Sequence, residues 1–232
     1  MNILVAAFER EDQRESITGV ATAVATILRA NVREVDLREM TMPNSVDRVL
    51  AEIVDPEAVL AVLPGATALG DLAWRVLPRV HKPIIVVPKG YRPVSISRAL
   101  IPLDGTEESA AAVAETIRLL ARAGVELIVL HVFDAATVPK FWDHSEHAER
   151  AWQREFLARY CDQPGAHVEL RSGVASDHVL DLAATGDVDL IAVGWSQRVD
   201  GHARTLRRTL NEGHVPVLVV PMLTASSNVD SA

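Results

Sequence analysis

Cysteine is almost missing from this sequence: Cys161 stands alone among 232 residues. No internal disulfide can form, and a cytosolic setting is expected. Long apolar runs are missing as well. None approaches the roughly 18 residues that a membrane span needs. The opening MNILVAAFEREDQ lacks a basic region, and its apolar run is too short for a secretory leader, so none is expected. Positive charge is in deficit: 23 Lys and Arg against 31 Asp and Glu leave a formal charge of -8, which argues against a general binder of nucleic acid or of anionic membranes. Several motifs are absent too. There is no Gly-x-Gly-x-x-Gly after a first strand for a dinucleotide dehydrogenase, no Gly-x-x-x-x-Gly-Lys-Ser/Thr for a P-loop enzyme and no Gly-x-Ser-x-Gly for a hydrolase. A phosphoacceptor domain would need an acidic cluster where Asp104 stands alone.

What is present is aliphatic. Apolar residues make up 49% of the chain and aromatics only 4%, a composition that suits helices packed on a buried sheet. Apolar runs at 3–8, 59–63, 84–87, 99–103, 125–133, 190–193 and 217–220 read as buried strands. Alternation at 32–37 reads as a strand nearer an edge. Helical spacing links Ile17, Val20, Val24, Ile27 and Leu28, then Val113, Ile117 and Leu120. Asn44 or Ser45 is placed to cap a helix carrying Val46, Val49 and Ile53. Leu69 to Val80 outlines another, 141–160 a long one, and Ser176 is placed to cap a helix with Val179 and Leu180.

The two halves form a degenerate repeat. Each opens on an apolar strand and closes on a Pro-bounded one, HKPIIVVP and HVPVLVVP. Periodicity breaks at 90–97, which reads as a linker. The organisation is therefore a reduced domain at 1–89, a fuller one at 98–222 and a polar tail at 223–232. Alternating strands and helices imply an α/β fold with parallel, doubly wound sheets.

Residues 187–221 concentrate the functional signal, because a loop leaving a buried strand for a helix N-terminus is where open α/β sheets place ligands. Several side chains near such positions carry two readings each. Asp104 could hold a ribose or adenine, or make a turn and cap ahead of Thr106. Arg198, Arg204, Arg207 and Arg208 could bind an anion, or form a solvated helix face opposite Leu206 and Leu210. Asp143, His144 and His147 have metal-compatible spacing but no further ligand, and a polar helix start explains them. His81 and His214 precede the two closing strands at equivalent turns. Cys161 lacks a Cys-x-x-Cys partner and reads as a half-buried thiol.

Residues 98–221 resemble a universal stress protein domain. RALIPLDGTEESAAAV is similar to that family's first strand and its Pro-x-Asp-Gly-Ser/Thr turn, and LIVLHVFD to its second strand. SGVASDHVLDLAATGDVDLIAVG is similar to its third strand, third helix and fourth strand, and VPVLVVP to its last strand. Residues 1–88 resemble a reduced copy. The resemblance implies two Rossmann-like sheets of five-stranded type in order 3-2-1-4-5, packed as a pseudo-dimer with the first domain smaller. It also implies an adenine and ribose pocket built from Pro102, Asp104 and backbone near Val132, with phosphates against a glycine-rich loop. Gly194 keeps the first loop position. The second falls at Gln197, the later glycine at about Ala203 and the hydroxyl residue at Arg204, with Thr205 following. A side chain at Gln197 limits backbone approach, although the Arg204 guanidinium could pair with phosphate. In the first half Phe8 takes the Asp104 position, and Asp71 puts a carboxylate where phosphate would lie.

The function expected is a non-catalytic, cytoplasmic, stress-linked sensing or partner-binding module. The alternative is an adenine-nucleotide switch holding ATP or AMP in the second half, with or without slow hydrolysis. No catalytic residue set and no metal site is assigned. The runs 84–87 and 217–220 would be open sheet edges in the implied order, so they are expected to pair within the chain or with a second copy. A protein partner is expected; nucleic acid and membrane are not.

Overall fold

The computed structural model of the chain describes residues 2–65, 71–92, 95–133, 146–195 and 203–222. Its first half runs β1 (Ile3–Phe8), α1 (Glu11–Leu28), β2 (Asn31–Asp36), α2 (Met42–Val54), β3 (Ala58–Pro64), α3 (Leu72–Val76) and β4 (Ile84–Val87). Its second half runs β5 (Arg98–Pro102), α4 (Glu107–Arg122), β6 (Glu126–Phe133), α5 (Glu146–Tyr160), β7 (His167–Ser172), α6 (Ala175–Ala184), β8 (Leu190–Trp195), α7 (Ala203–Glu212) and β9 (Val217–Pro221). β1 and β4 are buried along their whole length, because helices cover the sheet on both faces.

Three helix starts differ from the sequence reading. α2 begins at Met42 after an extended Thr41, with Pro43 in its first turn, so Ser45 lies inside the helix and is buried instead of capping it. α6 begins at Ala175, which puts Ser176 within the helix. In the described part of the helix outlined from Leu69 to Val80, five α residues, Leu72–Val76, are followed by a 3-10 turn, Leu77–Arg79, because Pro78 has no N–H to continue the α ladder.

The strands form one sheet of nine, in the order β2-β1-β3-β4-β9-β8-β5-β6-β7. The two expected sheets are joined into one, through the pairing of the runs 84–87 and 217–220. Among the described residues the first half contributes four strands, with β2 at the sheet's edge. Every neighbouring pair is parallel except β4 and β9, which run antiparallel with Ile84 opposite Val219, Ile85 opposite Leu218 and Val86 opposite Val217. Two apolar edges thereby satisfy each other's backbone groups. The outer strands β2 and β7 are charged instead: Arg33 pairs with Glu52 and Asp55, and Arg171 with Glu169.

Two apolar clusters flank the sheet, and each runs through both halves. One gathers buried residues from α2, α3, α6 and α7, the other from α1, α4 and α5. The connection between the halves is fastened at both ends. Ser16 Oγ donates to the Tyr91 carbonyl at 2.7 Å. Asp189 accepts from the Ser97 backbone N–H at 2.8 Å, the Ser97 hydroxyl at 2.7 Å and the Arg98 N–H at 2.9 Å.

Candidate functional site

β5 lies between β6 and β8: the chain passes from β5 to β6 through α4 on one face of the sheet and reaches β8 from β7 through α6 on the other. The crevice outside the carboxyl ends of these strands is the switch point of the second half. β5 ends at Pro102, and Leu103 N–H still bonds to the Leu130 carbonyl at 2.9 Å. The chain then turns sharply through Asp104 and Gly105, whose φ of +82° lies in the left-handed region that favours glycine.

Asp104 is exposed, and its Oδ1 accepts from Thr106 N–H at 2.9 Å and from Thr106 Oγ1 at 2.7 Å. Thr106 Oγ1 in turn accepts from Ser109 N–H at 3.2 Å, capping α4. The turn-and-cap geometry expected of Asp104 is thus present, at the carboxyl end of β5.

Gly194 is half-buried in β8. A Cβ placed there would stand 3.1 Å from Ala112 Cβ, 3.0 Å from Met222 Cε and 3.4 Å from the Ser109 carbonyl oxygen. The glycine therefore lets β8 lie directly against α4. Asp104, Thr106, Ser109 and Gly194 are linked in series through the first turns of that helix. Val132 lies in β6 opposite Arg171 and packs on the α6 and α7 side of the sheet.

Arg204 and Thr205 sit in the first turn of α7, Arg204 exposed and Thr205 half-buried. Gln197 and Arg198 lie outside the described residues. Arg204 is exposed, and Arg207 and Arg208 are half-buried. Arg208 pairs with Asp177 and Glu212 and donates to Ser176 Oγ at 3.2 Å, while Arg207 Nε is buried without a partner.

A residue absent from the sequence reading sits beneath this turn. His131 of β6 is 8% exposed, and its Nδ1 lies 2.9 Å from the Leu103 carbonyl. A carbonyl only accepts, so Nδ1 carries the proton. The ring packs against Phe133, Trp152 and Phe156 at centroid distances of 4.6, 5.2 and 4.8 Å. Burial pushes the imidazole below its ordinary pKa, and the Leu103 carbonyl and the Asp104 charge pull it part of the way back. The signal was a histidine on the inward face of LIVLHVFD, in phase with Leu127, Val129 and Phe133.

The corresponding crevice of the first half is differently charged. Phe8 ends β1 and is buried, with the Arg14 and Arg38 guanidinium carbons 5.6 and 6.0 Å from its ring centre. Glu9 follows, its carboxyl raised above the ordinary range by burial and then by the Asp71 charge. Two acidic groups at this strand end oppose an anionic ligand. Residues 66–70 of the matching loop lie outside the described residues.

The remaining candidates carry little chemistry. Asp143 and His144 fall outside the described residues, and among those described no cluster of three His, Cys, Asp or Glu has a metal-holding arrangement. Cys161 is buried, and burial pushes its thiol up to about 11, so it is protonated at neutral pH. Among the described residues no helix is long and apolar enough to cross a membrane. A shallow groove of about 800 Å³ follows α1, lined in part by Thr18, Gly19, Thr22 and Ser95. A smaller one of about 310 Å³ lies at the amino end of β5, between Arg98, Glu126, Asp187 and Asp189.

A largely parallel sheet with helices on both faces and a switch-point crevice defines an α/β protein of the Rossmann-like class. Within that class the chain belongs to the universal stress protein family, whose model matches residues 95–221. No match is found among curated proteins. Among solved structures, a universal stress protein from Archaeoglobus fulgidus superposes with a TM-score of 0.63 at 13% identity, covering 95% of this chain and 96% of that one. A functionally unknown protein from Pseudomonas aeruginosa superposes with a TM-score of 0.58 at 17% identity, covering 95% and 82%. A universal stress protein solved in complex with cAMP aligns at 19% identity with a TM-score of 0.42, covering 56% of this chain and 99% of that one. At these identities the likeness is one of fold.

Proposed function

We propose that this chain is a tandem universal-stress-type module that senses or binds a partner and has no catalytic activity. In this reading a reduced first domain and a fuller second one act as a pseudo-dimer in the cytoplasm, alone or as part of a homo-oligomer. The observation that carries it is the employment of the crevice residues in the scaffold: Asp104 holds the Thr106 cap, and Gly194 accommodates Ala112. The phosphate grip implied by the family pattern is degenerate, with Gln197, Ala203 and Arg204 at its later positions. Asp71 and Glu9 put like charge in the first crevice. Protein purified without added ligand, denatured and analysed by mass spectrometry, should release no adenine nucleotide. Calorimetric titration with ATP and AMP should give no binding at millimolar concentration.

One observation favours a second reading, in which the second domain is an adenine-nucleotide switch. The Asp104 carboxylate is exposed at the switch point, beside Pro102 and a glycine turn. Arg204, exposed and with no described hydrogen-bond or ion-pair partner, would then meet phosphate in place of the lost loop contacts. A measurable ATP affinity that Asp104→Ala abolishes would establish this reading over the first.

A further inference from the structure

We propose that His131 makes the Leu103–Thr106 turn a proton-responsive element: protonating the imidazole releases the turn that carries Asp104 and caps α4. The device operates whether or not the crevice holds a ligand, so it goes beyond either functional reading. Its geometry has three parts. His131 Nδ1–H donates to the Leu103 carbonyl at 2.9 Å, tying the ring to the start of the turn. A Cβ at Gly105 would stand 3.2 Å from His131 Cε1, so the middle of the turn rests on the same ring. The rest of the ring is enclosed by Phe133, Trp152 and Phe156.

A second ring proton needs an acceptor, and these aromatic neighbours supply none. The charged groups around the ring are few among the described residues. The turn presents Asp104. The strand partner opposite His131 in β7 is Leu170. α5 presents Trp152 and Phe156, and its Arg159 is engaged by Glu107 of α4 at 2.9 Å. The imidazolium keeps its Nδ1–H bond to the Leu103 carbonyl, so the strain falls on the enclosed and unpaired Nε2–H, which is relieved in one of two ways. Either the ring leaves its enclosure, or the Asp104 carboxylate turns toward it and gives up Thr106. Each outcome loosens the cap of α4, the helix against which Gly194 is packed.

The sign follows from burial. The folded protein disfavours the charged ring, so the unfolded chain binds the proton first. The stabilisation is present above the ordinary histidine range and is lost as pH falls through that range toward the folded-state value. Asp104 moderates the effect by attracting the charge.

The test is an NMR titration of the intact chain from pH 8 to pH 5, following the His131 ring carbon and the Gly105 and Thr106 amides. Expected are a His131 midpoint below that of a free imidazole side chain and amide shifts at Gly105 and Thr106 with the same midpoint. His131→Asn keeps a donor for the Leu103 carbonyl without a titrating group. It should leave those amides near their wild-type positions at pH 8 and remove their pH dependence. Should that variant not fold, Asp104→Asn supplies the second arm: losing the carboxylate's attraction should move the His131 midpoint further down. A midpoint at the free-imidazole value, amides that do not follow it, amides that titrate unchanged in His131→Asn, or a midpoint unmoved by Asp104→Asn would each overturn the proposal.

Discussion

Gly194→Ala separates a glycine kept for packing from one kept for a ligand. The residue lies outside the left-handed region, so alanine meets no backbone obstacle there. Removing a glycine from the unfolded ensemble would by itself stabilise the protein by about 0.4–1 kcal/mol. The new methyl, however, arrives 3.1 Å from Ala112 Cβ and 3.0 Å from Met222 Cε, inside the roughly 3.5–4.0 Å at which carbon atoms pack well. The Met222 methyl can rotate away. The Ala112 methyl is fixed to α4, so either the helix or β8 must move by a few tenths of an ångström. Overpacking of this kind costs about 1–3 kcal/mol, so after the entropic gain the net loss centres on about 1.3 kcal/mol. For a chain of this size that is a fall of about 3–5 °C in melting temperature. The assay is urea denaturation of ligand-free protein in a double-mutant cycle with Ala112→Gly. The single Ala112→Gly change costs about 1 kcal/mol in helix propensity. Because it also removes the opposing methyl, the double variant should be more stable than the sum of the two by at least about 0.5 kcal/mol. Strict additivity, or a Gly194→Ala protein as stable as wild type, refutes the packing argument.

Three further outcomes follow from other parts of the fold. Leu218 is buried opposite Ile85 at the antiparallel junction, so Leu218→Ala should cost about 2–5 kcal/mol. Hydrogen exchange should then show β3 and β8 losing protection together; loss confined to one half would contradict a cooperative nine-stranded sheet. Asp189→Ala removes the acceptor for two backbone N–H groups and a hydroxyl at the entry to β5, which should cost about 1–3 kcal/mol and speed amide exchange at Ser97 and Arg98. Cys161 should resist thiol reagents at pH 7 until the protein is unfolded. Its thiol is raised to about 11 in the fold, so the unfolded chain loses that proton first, and stability should fall as pH climbs from about 9 toward 11. Removal of this slope by Cys161→Ala, measured as urea midpoints against pH, checks the assignment; an unchanged slope sinks it.

The strands were legible because burial on both faces leaves a plain mark, an unbroken apolar run such as IIVV or VLVV. Helix bodies were legible by their spacing, and their ends were not. Thr41 and Val174 precede α2 and α6, and extended backbone angles rather than side-chain caps mark those starts. At the candidate site, Asp104 and Gly194 could be singled out from the chain, but both readings of Asp104 fit the same residues. Only distances to Thr106 showed the bonds it makes. His131 passed unnoticed because a histidine inside an apolar strand gives no hint of what lies against it. Its partners come from Leu103, Gly105 and α5, all distant in sequence.

The alternation of apolar strands and amphipathic helices by itself determined an α/β chain, since local burial dictates local composition. The repeat of HKPIIVVP and HVPVLVVP further marked two strands in need of cover. That those strands cover each other, antiparallel and in one continuous sheet, was decided by tertiary structure, because pairing depends on which edges meet in space. The same holds for the site. The family resemblance brought Asp104 and Gly194 forward as ligand contacts, and the packed fold places Asp104 on the Thr106 cap, Gly194 against α4 and a buried imidazole beneath the turn.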